Sequence, residues 1–276
     1  MRVDQHGRKQ GKSESRPYNC RDCQHFSAWI GTVLERSRVP LRKWLFALYL
    51  ETTSLKGVSS MKLHRDLKVT QKTARFMLYR IREAFGGFNP IFDGPTEADE
   101  ACFGGKESNK HANKKLRAVR GPVGKTAVAD VRNRTTGQVT ARVVEKTDAE
   151  TLQGFVTDYI AEDSTVYTDE ACAYKGLPQR YHEAVRHSVS EYVREQTHTN
   201  GMESFRASLR RGYHGTYYHI SAKHLQSYVN KFAGRHNLRR ADTIDMMAHV
   251  AAGMVGKRLM YRDLTGDSKM SSGLQP

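Results

Sequence analysis

Residues 125–169 read KTAVADVRNRTTGQVTARVVEKTDAETLQGFVTDYIAEDSTVYTD, and most of the fold class can be inferred from them. Short runs rich in Val, Ala and Thr lie at 125–132, 138–145 and 165–168, a composition typical of β-strands. The segment DAETLQGFVTDYIAED between the last two runs has helical spacing of its apolar residues. With a further run at 97–103, the order strand, strand, strand, helix, strand predicts an α/β domain with a mixed sheet.

The N-terminal residues divide into a polar arm and a cysteine-containing segment. Residues 1–19 are rich in Gly, Lys and Ser without hydrophobic periodicity, which predicts a disordered basic arm. Cys20 and Cys23 form a C-x-x-C pair at the start of residues 20–39. A structural zinc needs four tetrahedral ligands, so this pair supplies half a site. The segment is interpreted as a partial zinc ribbon, with a turn that binds no metal as the alternative.

Residues 40–85 are predicted to be helical. The stretch PLRKWLFALYLETTS (40–54) opens with a proline and predicts a helix. Ser59 or Ser60 can cap a second helix, and Thr70 can cap a third. The apolar residues expected on the buried face are Leu41, Leu45, Leu48 and Tyr49 in the first helix, and Ala74, Met77, Leu78 and Ile81 in the third.

The second and third of these helices have the arrangement of a helix-turn-helix. They are short and joined by a tight turn, and the third carries Lys72, Arg75 and Arg80. We expect these cations to bind DNA; a helical hairpin with a solvated basic face is the alternative. The Gly- and Pro-rich stretch FGGFNPIFDGP (85–95) then marks a domain boundary.

The charge of the 276-residue chain is strongly positive, with 45 Lys and Arg against 29 Asp and Glu, a formal +16. Residues 1–95 carry +10, residues 96–170 carry −2 and residues 171–276 carry +8. Such a distribution favours polyanion-binding flanks around a carboxylate cluster. The chain contains no apolar run long enough for a membrane helix, and four cysteines are too few for a disulfide scaffold. A membrane protein, a small secreted protein and a fibrous protein are therefore excluded, and a reducing cytoplasm is expected.

Three carboxylates occupy positions suited to metal-dependent chemistry. Asp99 lies in the first predicted strand, Asp169 follows the fourth, and Glu203 comes early in a predicted helix. Carboxylates gathered at one edge of a sheet could hold two Mg²⁺ or Mn²⁺ ions on either side of a phosphodiester. Asn200 and Glu203 also fit a capping box at the start of that helix, which is the structural alternative.

Four co-linear motifs carry a resemblance to a known family. They are TEADEACFGGKE (96–107), VYTDEACAY (166–174), HTNGMESFRASLRR (198–211) and HLQSYVNKFAGRHN (224–237). They resemble the DDE transposases of bacterial insertion sequences, and within them the ISXO-like subgroup, whose members carry an N-terminal zinc ribbon and a helix-turn-helix. The resemblance runs from about Tyr18 to Asn237. Two departures are the absence of the ribbon's first C-x-x-C and Arg206, which stands where relatives usually have an aromatic residue.

The resemblance implies an RNase H-like catalytic domain over 96–240, followed by a C-terminal tail at 241–276. By motif position, Asp99 and Asp169 would be metal-binding aspartates. Glu203 would be the third ligand, with Asn200 as its rival, because a carboxylate binds Mg²⁺ better than an amide does. The basic residues expected to contact DNA at the end of this motif are Arg210 and Arg211.

The implied function is that of a transposase in the bacterial cytoplasm, associated with the nucleoid. It would bind the terminal inverted repeats of its element, cleave DNA with two divalent ions and join the freed 3′ end to target DNA, acting as a homo-oligomer on DNA. Two alternatives are a transposase-derived repressor without catalysis and a metal-dependent DNA endonuclease that does not join strands.

Overall fold

The computed structural model describes ten segments of the chain. They are residues 3–5, 18–20, 24–26, 29–87, 90–105, 124–169, 172–174, 176–177, 181–185 and 200–266. For residues before 29, for 181–185, and at Asp169, Cys172 and Asn200, the description is of the backbone alone.

Three short strands lie at the N-terminus. Strand β1 (Val3–Gln5) pairs with β2 (Tyr18–Cys20), which pairs with β3 (Gln24–Phe26), both antiparallel. Val3–Gln5 falls within the residues predicted as a basic arm, and its backbone pairs with the edge of β2.

Three helices follow: α1 (Leu41–Thr53), α2 (Ser60–Leu67) and α3 (Gln71–Phe85). The Ser59 hydroxyl accepts a hydrogen bond from the Lys62 amide, and the Thr70 hydroxyl accepts one from the Thr73 amide, each at 3.1 Å. Both predicted caps are therefore confirmed. The turn between α2 and α3 passes through Lys68 in the left-handed conformation.

The predicted buried face of α3 is confirmed, whereas that of α1 is confirmed for Leu48 and wrong for the other three residues. In α3, the four expected apolar residues are all buried. In α1, Leu41, Leu45 and Tyr49 are exposed, and the buried residues are Trp44, Ala47, Leu48, Glu51 and Thr52. The buried side is the one on which Trp44, Ala47 and Leu48 join the core shared with α3, and on which Glu51 pairs with Arg82.

The central sheet has five strands, and its order is RNase H-like. Its strands are β4 (Thr96–Phe103), β5 (Thr126–Asn133), β6 (Val139–Val144), β7 (Thr165–Asp169) and β8 (Tyr181–Val185). The spatial order is β6-β5-β4-β7-β8. Strands β4, β5 and β6 are antiparallel neighbours, while β7 runs parallel to both β4 and β8. The predicted α/β class with a mixed sheet is confirmed.

Helices cover both faces of this sheet. On one face, α4 (Ala149–Tyr159) buries Leu152, Phe155 and Val156 against the strands. On the other face lie α5 (Asn200–Gly212) and α6 (Ala222–Asn237), joined by a π-helical turn at Tyr213–Tyr217. The functional side chains considered below lie on the face covered by α5.

The segment after α6 returns to the N-terminal helices. Helix α7 (Thr243–Ala252) contacts α1 and α3, and a short helix α8 (Tyr261–Thr265) follows. Val250, Met254 and Leu259 belong to the same core as Trp44 and Leu63. The residues predicted as a tail thus contribute to a core, because their apolar side chains complete the cover of α1 and α3. Within the residues that the structure describes, no helix is both long and apolar enough to cross a bilayer.

Candidate active site

Asp99 lies in the middle of β4, between two strands that also carry aspartates. In the antiparallel ladder with β5, it is the direct partner of Asp130. In the parallel ladder with β7, Thr96 pairs with Val166 and Glu97 with Tyr167. Continued along both strands, this register reaches Asp99 on β4 and Asp169 at the end of β7. The backbone therefore brings the two predicted metal-binding aspartates to adjacent strands.

The carboxylate of Asp99 is held by one backbone and one side-chain donor. Its Oδ1 accepts a hydrogen bond of 2.7 Å from the Glu100 amide, and its Oδ2 accepts one from Nη1 of Arg206. The side chain retains 19% of its accessible surface. Asp99 is consequently oriented by its neighbours and still reachable from solvent.

Arg206 of α5 bridges Asp99 and Asp130. Its Nε donates a hydrogen bond of 2.8 Å to Oδ2 of Asp130, and its Nη2 donates to Oδ1 of the same residue. Two-point contacts of this kind fix the plane of the guanidinium. Carboxylates that face each other across paired strands repel, so the cation between them stabilises the arrangement.

Burial controls the protonation of this cluster. Burial raises the pKa of Asp130 to about 6, although the adjacent Arg206 acts in the opposite direction. The two carboxylates hold the pKa of Arg206 above its ordinary value, despite the burial that opposes this. Arg206 therefore stays charged, and its contact with Asp130 keeps that charge beside Asp99.

Glu97 fixes the start of α5 against β4. This buried carboxylate, with 0% side-chain exposure, accepts from Nε of Arg134 at 3.0 Å and contacts Nη1 of Arg132 at 3.5 Å. It also accepts a hydrogen bond of 3.2 Å from the Met202 amide in the first turn of α5. A carboxylate at a helix N-terminus is favourable because amides there lack partners within the helix. Gly201 permits this approach, since a Cβ at that position would overlap the Arg132 guanidinium.

The predicted third ligand and basic residues lie along α5. Glu203 is exposed in the first turn, one turn before Arg206, and Asn200 is the first residue of the helix. The Asn200 side chain and that of Asp169 lie outside the description, so the contacts of these two residues remain predictions. Arg210 and Arg211 are exposed in the last turn of α5. Helix packing is supplied by the opposite face, where Met202, Phe205 and Leu209 are buried.

The donors available for a divalent cation are carboxylates, which Mg²⁺ and Mn²⁺ prefer. Among the side chains that the structure describes, no three His, Cys, Asp or Glu residues form a group that could hold a metal ion. Asp169, the neighbour of Asp99 by strand register, is outside that set. The oriented and partly exposed Asp99 carboxylate fits the chemistry of a metal ligand.

The predicted DNA-binding residues of α3 differ in exposure. Lys72 and Arg75, on the first turns of the helix, are exposed. Arg80 is buried, with its guanidinium 4.4 Å from the centre of the Phe76 ring. The spacing of cations along α3 did not predict the burial of Arg80, because this part of the helix is buried on all sides. Arg80 is therefore placed to pack the helix, and the exposed cations are Lys72 and Arg75.

For the predicted zinc ligands, the structure gives the backbone of Cys20 at the end of β2, whereas Cys23 lies outside the described residues. Cys102 of β4 is a half-buried free cysteine, and burial raises the pKa of its thiol.

Sequence reasoning missed Asp130 and Glu97 at this site and treated Arg206 only as a departure from a motif. A signal for the first was present, since Asp130 is the one acidic residue in the otherwise apolar run TAVADV. A signal for Arg206 was its helical spacing with Met202 and Leu209, which places it toward the sheet. A buried charge in such a position requires a partner of opposite sign.

Comparison with known proteins places the chain in a family. The sequence model of the ISXO2-like transposase domain matches residues 91–237, which span the sheet, α4, α5 and α6. A protein of Halobacterium salinarum, described as an uncharacterized protein in transposable element ISH50, is 30% identical over 235 residues. The match covers 81% of this chain and 79% of the relative. The chain belongs to the ISXO2-like family of insertion-sequence transposases.

Proposed function

We propose that the protein binds the ends of its insertion sequence and catalyses metal-dependent DNA cleavage and strand transfer. The observation that carries this proposal is the register of β4 and β7, which places Asp99 and Asp169 on neighbouring strands beneath helix α5. Carboxylates on neighbouring strands beside a basic helix suit a reaction at a phosphodiester.

Asp99, Asp169 and Glu203 are the residues that would hold two divalent ions, Mg²⁺ or Mn²⁺. When bound, such ions lower the pKa of water and stabilise negative charge on phosphodiester oxygens. Glu203 is preferred to Asn200 because it offers a carboxylate and because its side chain is exposed. The Met202 amide already bonds to Glu97, so capping the start of α5 does not depend on Glu203 alone.

Arg206 acts as a positioning residue in this proposal. It donates to Asp99 and is itself fixed by two contacts to Asp130. The guanidinium thereby limits the rotation of the Asp99 carboxylate, which a metal ligand must keep in one orientation. Asp130 holds Arg206 in place and so helps to orient Asp99.

Lys72 and Arg75 on α3, with Arg210 and Arg211 on α5, are the exposed cations proposed to contact DNA. In a helix-turn-helix, the N-terminal residues of the second helix reach the base edges, which is where Lys72 and Arg75 lie. Pairing of two element ends requires two protomers, so we propose a homo-oligomer assembled on DNA.

The test is incubation of the protein with labelled element ends and Mg²⁺ or Mn²⁺. We expect cleavage and joining with the unaltered protein and neither product with Asp169→Asn. Asp158→Asn is the matched control, since it removes a carboxylate that forms only an exposed ion pair with Arg142. Loss of both products in the control as well would contradict a specific role for Asp169.

The same reactions separate the alternatives. Cleavage without joining identifies an endonuclease, and a shifted DNA band without cleavage identifies a repressor. Glu203→Gln and Asn200→Ala, assayed separately, identify the third ligand; full activity of Glu203→Gln would refute its assignment. Mn²⁺ affinity measured by titration calorimetry gives a readout independent of turnover, and Asp99→Asn is expected to weaken it.

A further inference from the structure

A cavity of about 390 Å³ lies between the helix-turn-helix and the segment that joins α5 to α6. Asp99 and Asp130 are not among its lining residues. The start of α2 and one side of α3 form one wall, and the π-helical turn and α6 form the other. Its basic lining residues are Arg75, Arg82, His219 and His224. Hydroxyl groups come from Ser59, Ser60, Thr216 and Ser221, among others. Within the described residues, no Asp or Glu lines the cavity.

The cations around the cavity exceed the anions available to balance them. Arg82 is buried and bonds to Oε1 of Glu51 at 3.1 Å, with its guanidinium 4.0 Å from the centre of the Tyr228 ring. Behind it lies Lys231, whose side chain is 0% exposed and whose Nζ has no hydrogen-bond partner among the described residues. Glu51 is thus the acid that faces both Arg82 and Lys231.

The lowered pKa of His224 indicates a positive electrostatic environment in the cavity. Burial, then Arg75, Lys223 and Arg82, lower the pKa of this histidine. The ring of Tyr79 on α3 faces His224, with 5.0 Å between the two ring centres. Tyr217 and Tyr228 also line the cavity. A site at which neighbouring cations oppose protonation is one in which an anion is stabilised.

The backbone also favours an anion here. Ser221 is the N-cap of the 16-residue helix α6, and its side chain makes no capping hydrogen bond. The positive end of the helix therefore opens beside the hydroxyl groups and cations of the cavity. These features come from α3 and α6 together, so the site exists only where the two elements meet.

We propose that this cavity binds a backbone phosphate of DNA, holding one phosphodiester between α3 and α6. The proposal rests on the DNA binding proposed above. The site shares Arg75 with the helix-turn-helix surface and adds a contact from Arg82 and the start of α6. It would fix the position of the DNA relative to both α3 and the helices that cover the sheet. Because a phosphate has no sequence information, the contact contributes affinity and register.

The test uses the full chain and two probes, inorganic phosphate and a short DNA duplex, with histidine resonances followed by NMR. We expect each probe to raise the pKa of His224 by about 1, as an opposite charge nearby does. A rise in the pKa of His224 with the duplex alone also supports the proposal, because the proposed occupant is a phosphate of DNA. A response to phosphate alone, or to neither probe, overturns it.

Thr216→Glu and Thr216→Gln form a matched pair that differs in charge. Thr216 lines the cavity and lies outside the proposed catalytic and helix-turn-helix residues. The carboxylate should abolish the response of His224 and make the slope of log K against log salt shallower by about 0.9, the value for one neutralised phosphate. Thr216→Gln should retain both, and equal slopes for the two variants would refute the site. Cleavage by the unaltered protein is scored separately, so failure of the catalytic proposal is distinguishable from failure of this one.

Discussion

Replacing Arg206 with leucine should destabilise the protein strongly, because it leaves a buried carboxylate without its counter-ion. The Asp130 side chain is 1% exposed, and Arg206 provides both of its charged contacts. Removing one partner of such a pair costs about 3–5 kcal/mol in the free energy of unfolding. With a urea dependence of about 3 kcal/mol/M, the unfolding midpoint should fall by about 1–1.7 M.

Urea unfolding near neutral pH measures this effect, and two further variants make it specific. Arg206→Leu combined with Asp130→Leu removes the isolated charge, so the double variant should recover most of the lost stability. Arg142→Leu breaks an exposed pair with Asp158 and should cost at most about 1 kcal/mol. If the single Arg206 variant is no less stable than the double variant, the uncompensated charge of Asp130 is not the cause and the reasoning is refuted.

Two more predictions concern packing away from the aspartates. Burial lowers the pKa of Lys231 to about 8, so between about pH 8 and 10.5 the folded protein binds fewer protons than the unfolded chain and stability rises with pH. At pH 7, Lys231→Met should be more stable than the unaltered protein by up to about 3 kcal/mol in the free energy of unfolding, and it should unfold at a higher temperature. A stability difference between the two proteins that does not become smaller by pH 10 would contradict this. Gly253→Ala should lower thermal stability by about 1–3 kcal/mol, since its Cβ would overlap the Ala84 carbonyl oxygen. Gly154→Ala in α4 meets no atom within 4 Å and should raise stability by about 0.5–1 kcal/mol; the opposite order of the two would disprove the packing argument.

Local signals in the sequence were sufficient for much of the fold. Helix α3 was predictable because its apolar spacing and its Thr70 cap agree. Strands β5, β6 and β7 were predictable from their runs rich in Val and Thr, whereas β8 was not predicted. Helix α1 was predicted but its face was not, because LRKWLFALYL is apolar on more than one side. The buried face carries Glu51, whose partner Arg82 is 31 positions away and cannot be identified from the local sequence.

The candidate site was likewise predictable from the sequence only in part. Motif order singled out Asp99, Asp169 and Glu203, and the register of β4 and β7 explains why the first two belong together. Arg206 and Asp130 are 76 positions apart, so nothing local to either residue identifies the other. Charge pairing across a core is a property of the folded chain, and the sequence can indicate only that a partner must exist.

The packing of residues 250–259 against the N-terminal helices has a consequence for synthesis. Val250, Met254 and Leu259 complete the core around Trp44 and Leu63, and Lys257 Nζ donates to the Glu83 carbonyl oxygen at 2.7 Å at the end of α3. A ribosome makes the helix-turn-helix first and these residues much later. A nascent chain therefore exposes apolar surface on α1 and α3 until residue 259 has emerged, so α3 gains its full support only near the end of translation.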